Sequence, residues 1–389
     1  MDLKQLSADQ KQALDNLLDW KKEAKTPFIT LGGYAGTGKT TLTSILRKSL
    51  HKDKKKLKVA FCSYTGKATR VLKEQLIKSK SVYSQDSIST IHALIYSPIV
   101  NNKEVITGWK LNDTLDYDLI IIDESSMIDE SIWADLLSFN IPIIAVGDHG
   151  QLPPISGNFN LMEKPILKLE EIHRQAKDNP IIKLSTLARK SGEIPVGVFA
   201  DGVAKISRQN SESGEKVEEL LRSYNNDTLI LCGYNTTRNK LNTFIRGARE
   251  FESPNPQTGD RVICLKNNHI KNIHNGMVGT IKQIEEENDT WYQASIKMDG
   301  EKDTFSGLIA IEQFGNKKSM NFTEKRGKFT KGDLFDFGYA LTVHKAQGSE
   351  SNRVVLFEER FPKMDDEMWR RWLYTGVTRA KEELFVIGQ

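Results

Sequence analysis

The chain has 389 residues, with 55 basic against 51 acidic side chains for a formal net charge of +4, and 38% hydrophobic with 8% aromatic content. That length is too great for one ordinary domain, so about two to four are expected, each with apolar residues enough for a real core. The near-neutral balance neither demands nor excludes nucleic acid, because a basic groove can hide inside a balanced total. Cys62, Cys232 and Cys264 lie far apart, and no C-x-x-C pair exists. A zinc site and a disulfide framework are therefore not expected, and a reducing compartment is. No apolar run approaches the ~20 residues needed to cross a bilayer, and MDLKQLSADQKQAL carries no apolar signal region. The expectation is a cytoplasmic protein with no membrane partner.

Residues 6–20 read as a helix with Leu14, Leu17 and Leu18 on one face. Gln10 sits near its start and, taken alone, reads as a solvated helix residue. An apolar run at 28–31 then leads into GYAGTGKT, residues 33–40, followed by a helical pattern at 41–50. Strand, glycine-rich turn and helix are the context in which G-x-x-x-x-G-K-[ST] is a P-loop. Glycines let successive backbone N–H groups converge on phosphate oxygens, and the helix N-terminus adds positive potential. Lys39 can reach the β- and γ-phosphates, and Thr40 can hold Mg²⁺. The sequence therefore binds a nucleoside triphosphate.

The basic run HKDKKKLK reads as a solvated turn. A strand at 59–63 is followed by YTGKATRVL, which places Thr65, Gly66 and Lys67 where a helix begins, a position suited to phosphate. Residues 81–116 carry turn signals and short β-prone pieces. STIHALIY reads there as a helical start, and 96–110 as a small hairpin flanked by Tyr96 and Trp109. LIIIDESSM, residues 119–127, reads as a buried strand ending in two carboxylates, where α/β sheets place chemistry. Asp123 is positioned for the Mg²⁺ shell and Glu124 for orienting and deprotonating water. A strand at 141–146 ends in GDHGQLPP, where Gln151 can sense a γ-phosphate by hydrogen bonding. Arg174, in LEEIHRQ, reads alone as a surface residue.

A second α/β pattern runs from about 180 to 250, with a helix at 181–190 and a strand at 228–232. From 257 to about 325 the texture turns to short alternating strands with Asn-Gly and Gly turns, suggesting a small β-barrel insert. The α/β pattern resumes with FDFGYALTVHKAQGSE, a strand at 353–357, WRRWLYTGVTRAKEELFVI and a final strand at 384–387. Two α/β blocks, each interrupted by an insert, is the architecture these patterns imply.

In order, the chain contains Q-x-x-A-L, GYAGTGKT, SYTGKAT, STIH, DESSM, GDHGQLPP, HRQ, ALTVHKAQGSE and YTGVTRA. This series resembles the superfamily 1 helicases of the RecD-like and Dda-like, 5′-to-3′ branch, over nearly the whole chain. The resemblance implies an α/β fold of two RecA-like P-loop domains with ATP bound in the cleft between them. Domain 1 would comprise 1–80 and 117–170, a small insert with a strand-splitting pin 81–116, domain 2 residues 171–255 and 331–389, and an SH3-like β insert 256–330. Gln10 resembles the adenine-reading glutamine, reversing its reading as a solvated residue. Gly33, Ala35, Gly36, Thr37, Gly38, Lys39, Thr40 and Thr41 resemble the nucleotide cradle, with Thr40 and Asp123 on Mg²⁺ and Glu124 as base. Gln151 resembles the γ-phosphate sensor, Arg174 and Arg379 two arginine fingers, and Gly348 and Glu350 further nucleotide contacts. Thr65, Lys67, Thr90, His92, Thr342 and His344 match motifs that grip single-stranded DNA, and Tyr96, Pro98 or Trp109 would lie near the pin. SYTGKAT departs from the pattern, with Ser63-Tyr64 where a small residue and Pro are usual.

The function implied is an ATP-dependent DNA helicase, with a translocase that displaces proteins but unwinds weakly as the alternative. An ATP-gated binding switch that turns over little is disfavoured by Lys39, Glu124, Arg174 and Arg379. The expected partners are single-stranded DNA and duplex junctions, with replication or repair proteins besides. A monomer of bacterial or phage origin is expected.

Overall fold

The computed structural model describes residues 6–23, 25–100, 106–154, 159–172, 178–209, 213–268, 270–271, 273–301 and 303–389. The chain divides into two compact units, Met1–Arg189 and Lys190–Gln389.

The first unit is built on a six-stranded sheet. Its strands are β1 (Phe28–Gly33), β2 (Val59–Ser63), β3 (Ser87–Thr90), β6 (Leu119–Asp123), β7 (Ile143–Gly147) and β8 (Leu167–Leu169). The spatial order is β3-β2-β6-β7-β1-β8, and every pairing is parallel. VAFCS, LIIID and IIAVG are almost unbroken apolar runs because a parallel sheet is covered on both faces. Successive side chains point to opposite faces. Val59, Phe61, Ile121, Ile144 and Val146 accordingly join one core, with α1 (Ala8–Glu23), α2 (Lys39–Asp53) and α3 (Gly66–Lys78). Ala60, Cys62, Ile120, Ile122, Ile143 and Ala145 join another, with α4 (Ile91–Ile95) and α5 (Glu130–Ser138).

Two expectations shift here. The first three residues of HKDKKKLK extend α2 to Asp53 rather than forming a solvated turn, placing basic side chains at the negative end of the helix dipole. Residues 87–90 are an edge strand of the main sheet, pairing Ser63 with Thr90, and not part of an insert. What stands apart is a two-stranded antiparallel hairpin, β4 (Tyr96–Val100) and β5 (Ile106–Leu111), with Pro98 opposite Trp109.

The second unit holds a sheet ordered β17-β11-β18-β19-β10-β9. These are β9 (Gly197–Ala200), β10 (Val203–Ser207), β11 (Thr228–Cys232), β17 (Ala340–Thr342), β18 (Ser351–Phe357) and β19 (Ala380–Gly388). Only β9 runs antiparallel to its neighbour. A separate five-stranded antiparallel sheet is ordered β15-β14-β13-β12-β16, from β12 (Arg261–Cys264), β13 (Val278–Asn288), β14 (Trp291–Met298), β15 (Thr304–Ala310) and β16 (Phe335–Phe337). FDF therefore closes this sheet instead of reopening the α/β block at 331. Phe335 packs in the core of the five-stranded sheet and Phe337 in that of the parallel one. Between them, buried Asp336 pairs with Arg238 at 2.9 Å, so three residues tie two layers together. Among the described residues, no helix is long and apolar enough to cross a membrane.

Candidate active site

β1 ends at Gly33, and the loop to α2 turns through Gly36 and Gly38 at φ 79° and 75°, a region that favours glycine. A Cβ on Gly33 would lie 2.6 Å from Thr37 Oγ1, so the loop closes too tightly there for any side chain. Thr37 Oγ1 donates to the Tyr34 carbonyl at 2.8 Å. Lys39 Nζ donates to the carbonyls of Gly33 at 2.7 Å and Tyr34 at 3.1 Å, and lies 3.9 Å from Asp148 Oδ2. Thr40 and Thr41, both half-buried, occupy the first turn of α2. Half-buried Ala35 lies in the loop itself.

The neighbouring strands deliver the carboxylates. Asp123 is the last residue of β6, and its Oδ1 accepts from the Glu124 N–H at 3.0 Å. Glu124 holds φ 55°, a left-handed conformation that costs a non-glycine residue about 1–3 kcal/mol and persists only where surroundings impose it. Ser125 Oγ donates to the Val146 carbonyl at 2.8 Å, fixing this turn against β7. Just past β7, Asp148 is 2% exposed and accepts from the Gly150 N–H at 2.9 Å. Gln151 Nε2 reaches Asp148 Oδ2 at 3.5 Å. The order β6-β7-β1 therefore sets Asp123, Glu124, Asp148, Gln151 and Lys39 together at the C-terminal ends of the sheet's central strands.

Asp148 and His149 carry no assigned role in the sequence reading, although Gly-Asp directly after a buried strand marked the place. The His149 ring lies 4.1 Å from the Tyr34 ring. Burial pushes its pKa down to about 4, opposed by Asp148 and aided by Lys168, Lys39 and Arg189, so the imidazole is neutral. Arg189 covers Tyr34 with its guanidinium carbon 3.6 Å from the ring centroid.

Gln10 is wholly buried, which overturns its reading as a solvated residue. Its Nε2 donates to the Thr37 carbonyl at 2.8 Å, and its Oε1 accepts from the Ser7 N–H at 3.1 Å. The adjacent Asp9 Oδ2 accepts from the N–H groups of Glu170 and Glu171, both at 2.9 Å, which joins the start of α1 to the end of β8.

Thr65 and Thr90 each cap a helix, α3 and α4, accepting from the N–H groups of Ala68 and Ala93 at 3.2 Å. Because β2 and β3 are paired, these two helix N-termini open side by side, with Lys67 exposed beside them. The His92 ring is 6.4 Å from Tyr64 and 5.5 Å from Tyr96, and burial lowers its pKa. The Tyr96 hydroxyl donates to the Asp135 carboxylate, anchoring the root of the hairpin, while Trp109 is 39% exposed.

In the second unit, Thr342 ends β17 beside Cys232, and His344 follows it with a pKa lowered by burial. Gly348 takes φ 71°. Arg379 is buried and donates to the carbonyls of Thr375 at 3.1 Å and Ser349 at 3.3 Å, and to Thr378 Oγ1 at 3.3 Å. The structure thus gathers Arg379 with the 348–350 loop, where Glu350 lies 3.5 Å from Lys381. Arg174 falls outside the described residues.

A parallel sheet with a P-loop on one strand and carboxylates on its neighbours defines a P-loop nucleotide-binding domain of the RecA-like type. Residues 5–211 match the AAA domain and residues 337–387 the UvrD-like helicase C-terminal domain. The chain belongs to the AAA domain family, and the expected likeness to the superfamily 1 helicases of the RecD-like and Dda-like branch is met by the relatives it matches. It is 29% identical to the ATP-dependent RecD2 DNA helicase of Deinococcus radiodurans, over 99% of this chain and 49% of that protein. It therefore spans about half the length of that relative. It is 24% identical to the ATP-dependent DNA helicase dda of Enterobacteria phage T4, over 98% of this chain and 99% of that one. The fold is shared with a Pif1 helicase from Bacteroides solved with ADP-AlF3 and ssDNA, at a TM-score of 0.53 and 18% identity, covering 98% and 92% of the two chains.

Proposed function

We propose that this protein is an ATP-dependent DNA helicase that moves 5′ to 3′ on single-stranded DNA and separates duplex at a junction. One observation carries the reading. The P-loop lysine, the DESSM carboxylates and the Asp148–Gln151 turn lie at or just past the C-terminal ends of three adjacent strands of one parallel sheet, with Lys39 and Asp148 3.9 Å apart. Phosphoryl transfer needs positioning and neutralisation of γ-phosphate charge more than covalent chemistry, and these groups supply both.

Oxygen donors alone, the Thr40 hydroxyl and the Asp123 carboxylate, suit a hard cation such as Mg²⁺, with phosphates and water completing its shell. Glu124 takes the proton of the attacking water. Lys39 leaves the Gly33 and Tyr34 carbonyls for the phosphates. Gln10 joins the loop and reads the base, while Gln151 senses the γ-phosphate. Arg174 and Arg379 act as arginine fingers, which in related NTPases contribute about 10³–10⁵ in rate. Gly348 and Glu350 also serve the nucleotide. Thr65, Lys67, Thr90, His92, Thr342 and His344 grip the strand, largely through phosphates, giving sequence-independent affinity that falls with salt.

The 96–111 hairpin serves as the pin, with Tyr96 at its root and Trp109 on its exposed face. The five-stranded sheet is an SH3-like module. The protein works as a monomer on single strands and junctions. Glu124→Gln tests the assignment: ATP and strand binding should persist while turnover falls by about 10²–10⁴. Normal hydrolysis by that variant would move the base elsewhere.

A further inference from the structure

The connection from β15 to β16 is a run of 3-10 turns, Ile311–Gln313, Met320–Phe322 and Glu324–Phe329. It is pinned at three places. Gln313 is wholly buried and accepts from the Met320 N–H at 2.8 Å. Met320 is itself 3% exposed, and Phe329, 2% exposed, sets its ring edge-on to Trp291 at 6.0 Å. Against that anchored frame Phe322 stands 69% exposed, so its ring does not serve the fold.

Its setting is strongly one-signed. Between 314 and 331 the chain carries Lys317, Lys318, Lys325, Arg326, Lys328 and Lys331 against a single acid, Glu324, and all six cations are exposed. Lys325 is engaged with Glu312. A hollow of about 750 Å³ opens beside the ring, lined by Lys318, Asn321, Phe322, Thr323, Glu324 and Arg326. Protein–protein interfaces are depleted in lysine, whereas nucleic-acid interfaces are rich in positive charge. An exposed aromatic among cations is the arrangement on which unpaired bases stack while phosphates are neutralised.

We propose that this surface is a second single-strand contact, in which Phe322 stacks a base over the hollow while Lys318, Arg326 and Lys328 hold flanking phosphates. It rests on the reading of the protein as a DNA motor, and lies outside the motifs that carry that reading. Its role is to hold strand through a turnover without touching the nucleotide.

The test is anisotropy of a labelled oligothymidylate titrated with the full chain at several salt concentrations. Phe322→Ala should raise Kd about five- to tenfold, at the lower end of what one stacked base contributes. Phe322→Trp should restore it. Lys318→Ala/Arg326→Ala/Lys328→Ala should flatten the salt dependence, by about 0.7 in log–log slope per lost phosphate. ATPase activity without DNA should be unchanged in all three. Wild-type binding with unchanged Kd and slope in the variants would overturn the proposal and leave the surface to a protein partner. Absence of oligonucleotide binding by the wild type is a different result: it defeats the motor reading, and this contact with it.

Discussion

The ammonium of Lys39 lies 3.9 Å from Asp148, whose side chain is almost fully enclosed and held by the Gly150 N–H. Two loops at the ends of adjacent strands thereby share one electrostatic contact. Asp148 cannot turn away, so it helps to fix where Lys39 waits among the Gly33 and Tyr34 carbonyls. Removing one partner of such an enclosed pair leaves the other uncompensated.

Asp148→Asn should therefore lower kcat for ATP by about 10- to 100-fold, or about 1.4–2.7 kcal/mol of transition-state stabilisation, with a smaller change in KM. Lys39→Ala should abolish turnover. Steady-state ATPase kinetics separate the two, and wild-type rates in Asp148→Asn would remove Asp148 from the site.

Much of this site was legible because its strands are apolar runs whose ends are marked by chemistry. VAFCS and the strand at 228–232 matched to the residue, and GYAGTGKT and DESSM sit at strand ends as their flanks implied. What was missed had weak local signals. SIST is a short polar edge strand, and its place beside β2 depends on long-range pairing. FDF is too short to announce that its two rings serve different cores. Gln10 was not among these: its polar neighbours in an amphipathic helix give no signal, but the motif series marked it, and the fold brings it to Thr37, 27 residues on. Asp148 had no role assigned from sequence, and only the fold brings it within 3.9 Å of Lys39.

The Gln10–Thr37 contact yields a second prediction. Gln10→Ala leaves a buried carbonyl without its donor, at a cost of about 1–3 kcal/mol. Thermal stability should fall, KM for ATP should rise about tenfold, and the preference for ATP over other nucleoside triphosphates should narrow. Equal KM ratios across nucleotides in variant and wild type would confine Gln10 to holding the loop.

His149 supplies a pH dependence. Its folded pKa, about 4, lies below its ordinary value of 6.5. Above 6.5 it is neutral in both states and neither adds nor subtracts. As pH falls from 6.5 toward 4, the unfolded chain takes up a proton that the folded one refuses, so stability declines across that window. His92 and His344, also lowered by burial, act in the same sense. Urea midpoints should drop between about pH 7 and pH 5, and less steeply in His149→Gln. Identical pH slopes in the two proteins would contradict a buried neutral imidazole.

The most direct measurement is strand separation on two forked DNA duplexes, one with a free 5′ single-stranded tail and one with a 3′ tail, in ATP and Mg²⁺. The account predicts unwinding from the 5′ tail only, ATPase stimulated by single strands, and loss of unwinding with ATPase retained when the 96–111 hairpin is shortened. Unwinding from the 3′ tail, or ATP hydrolysis indifferent to single-stranded DNA, would contradict it.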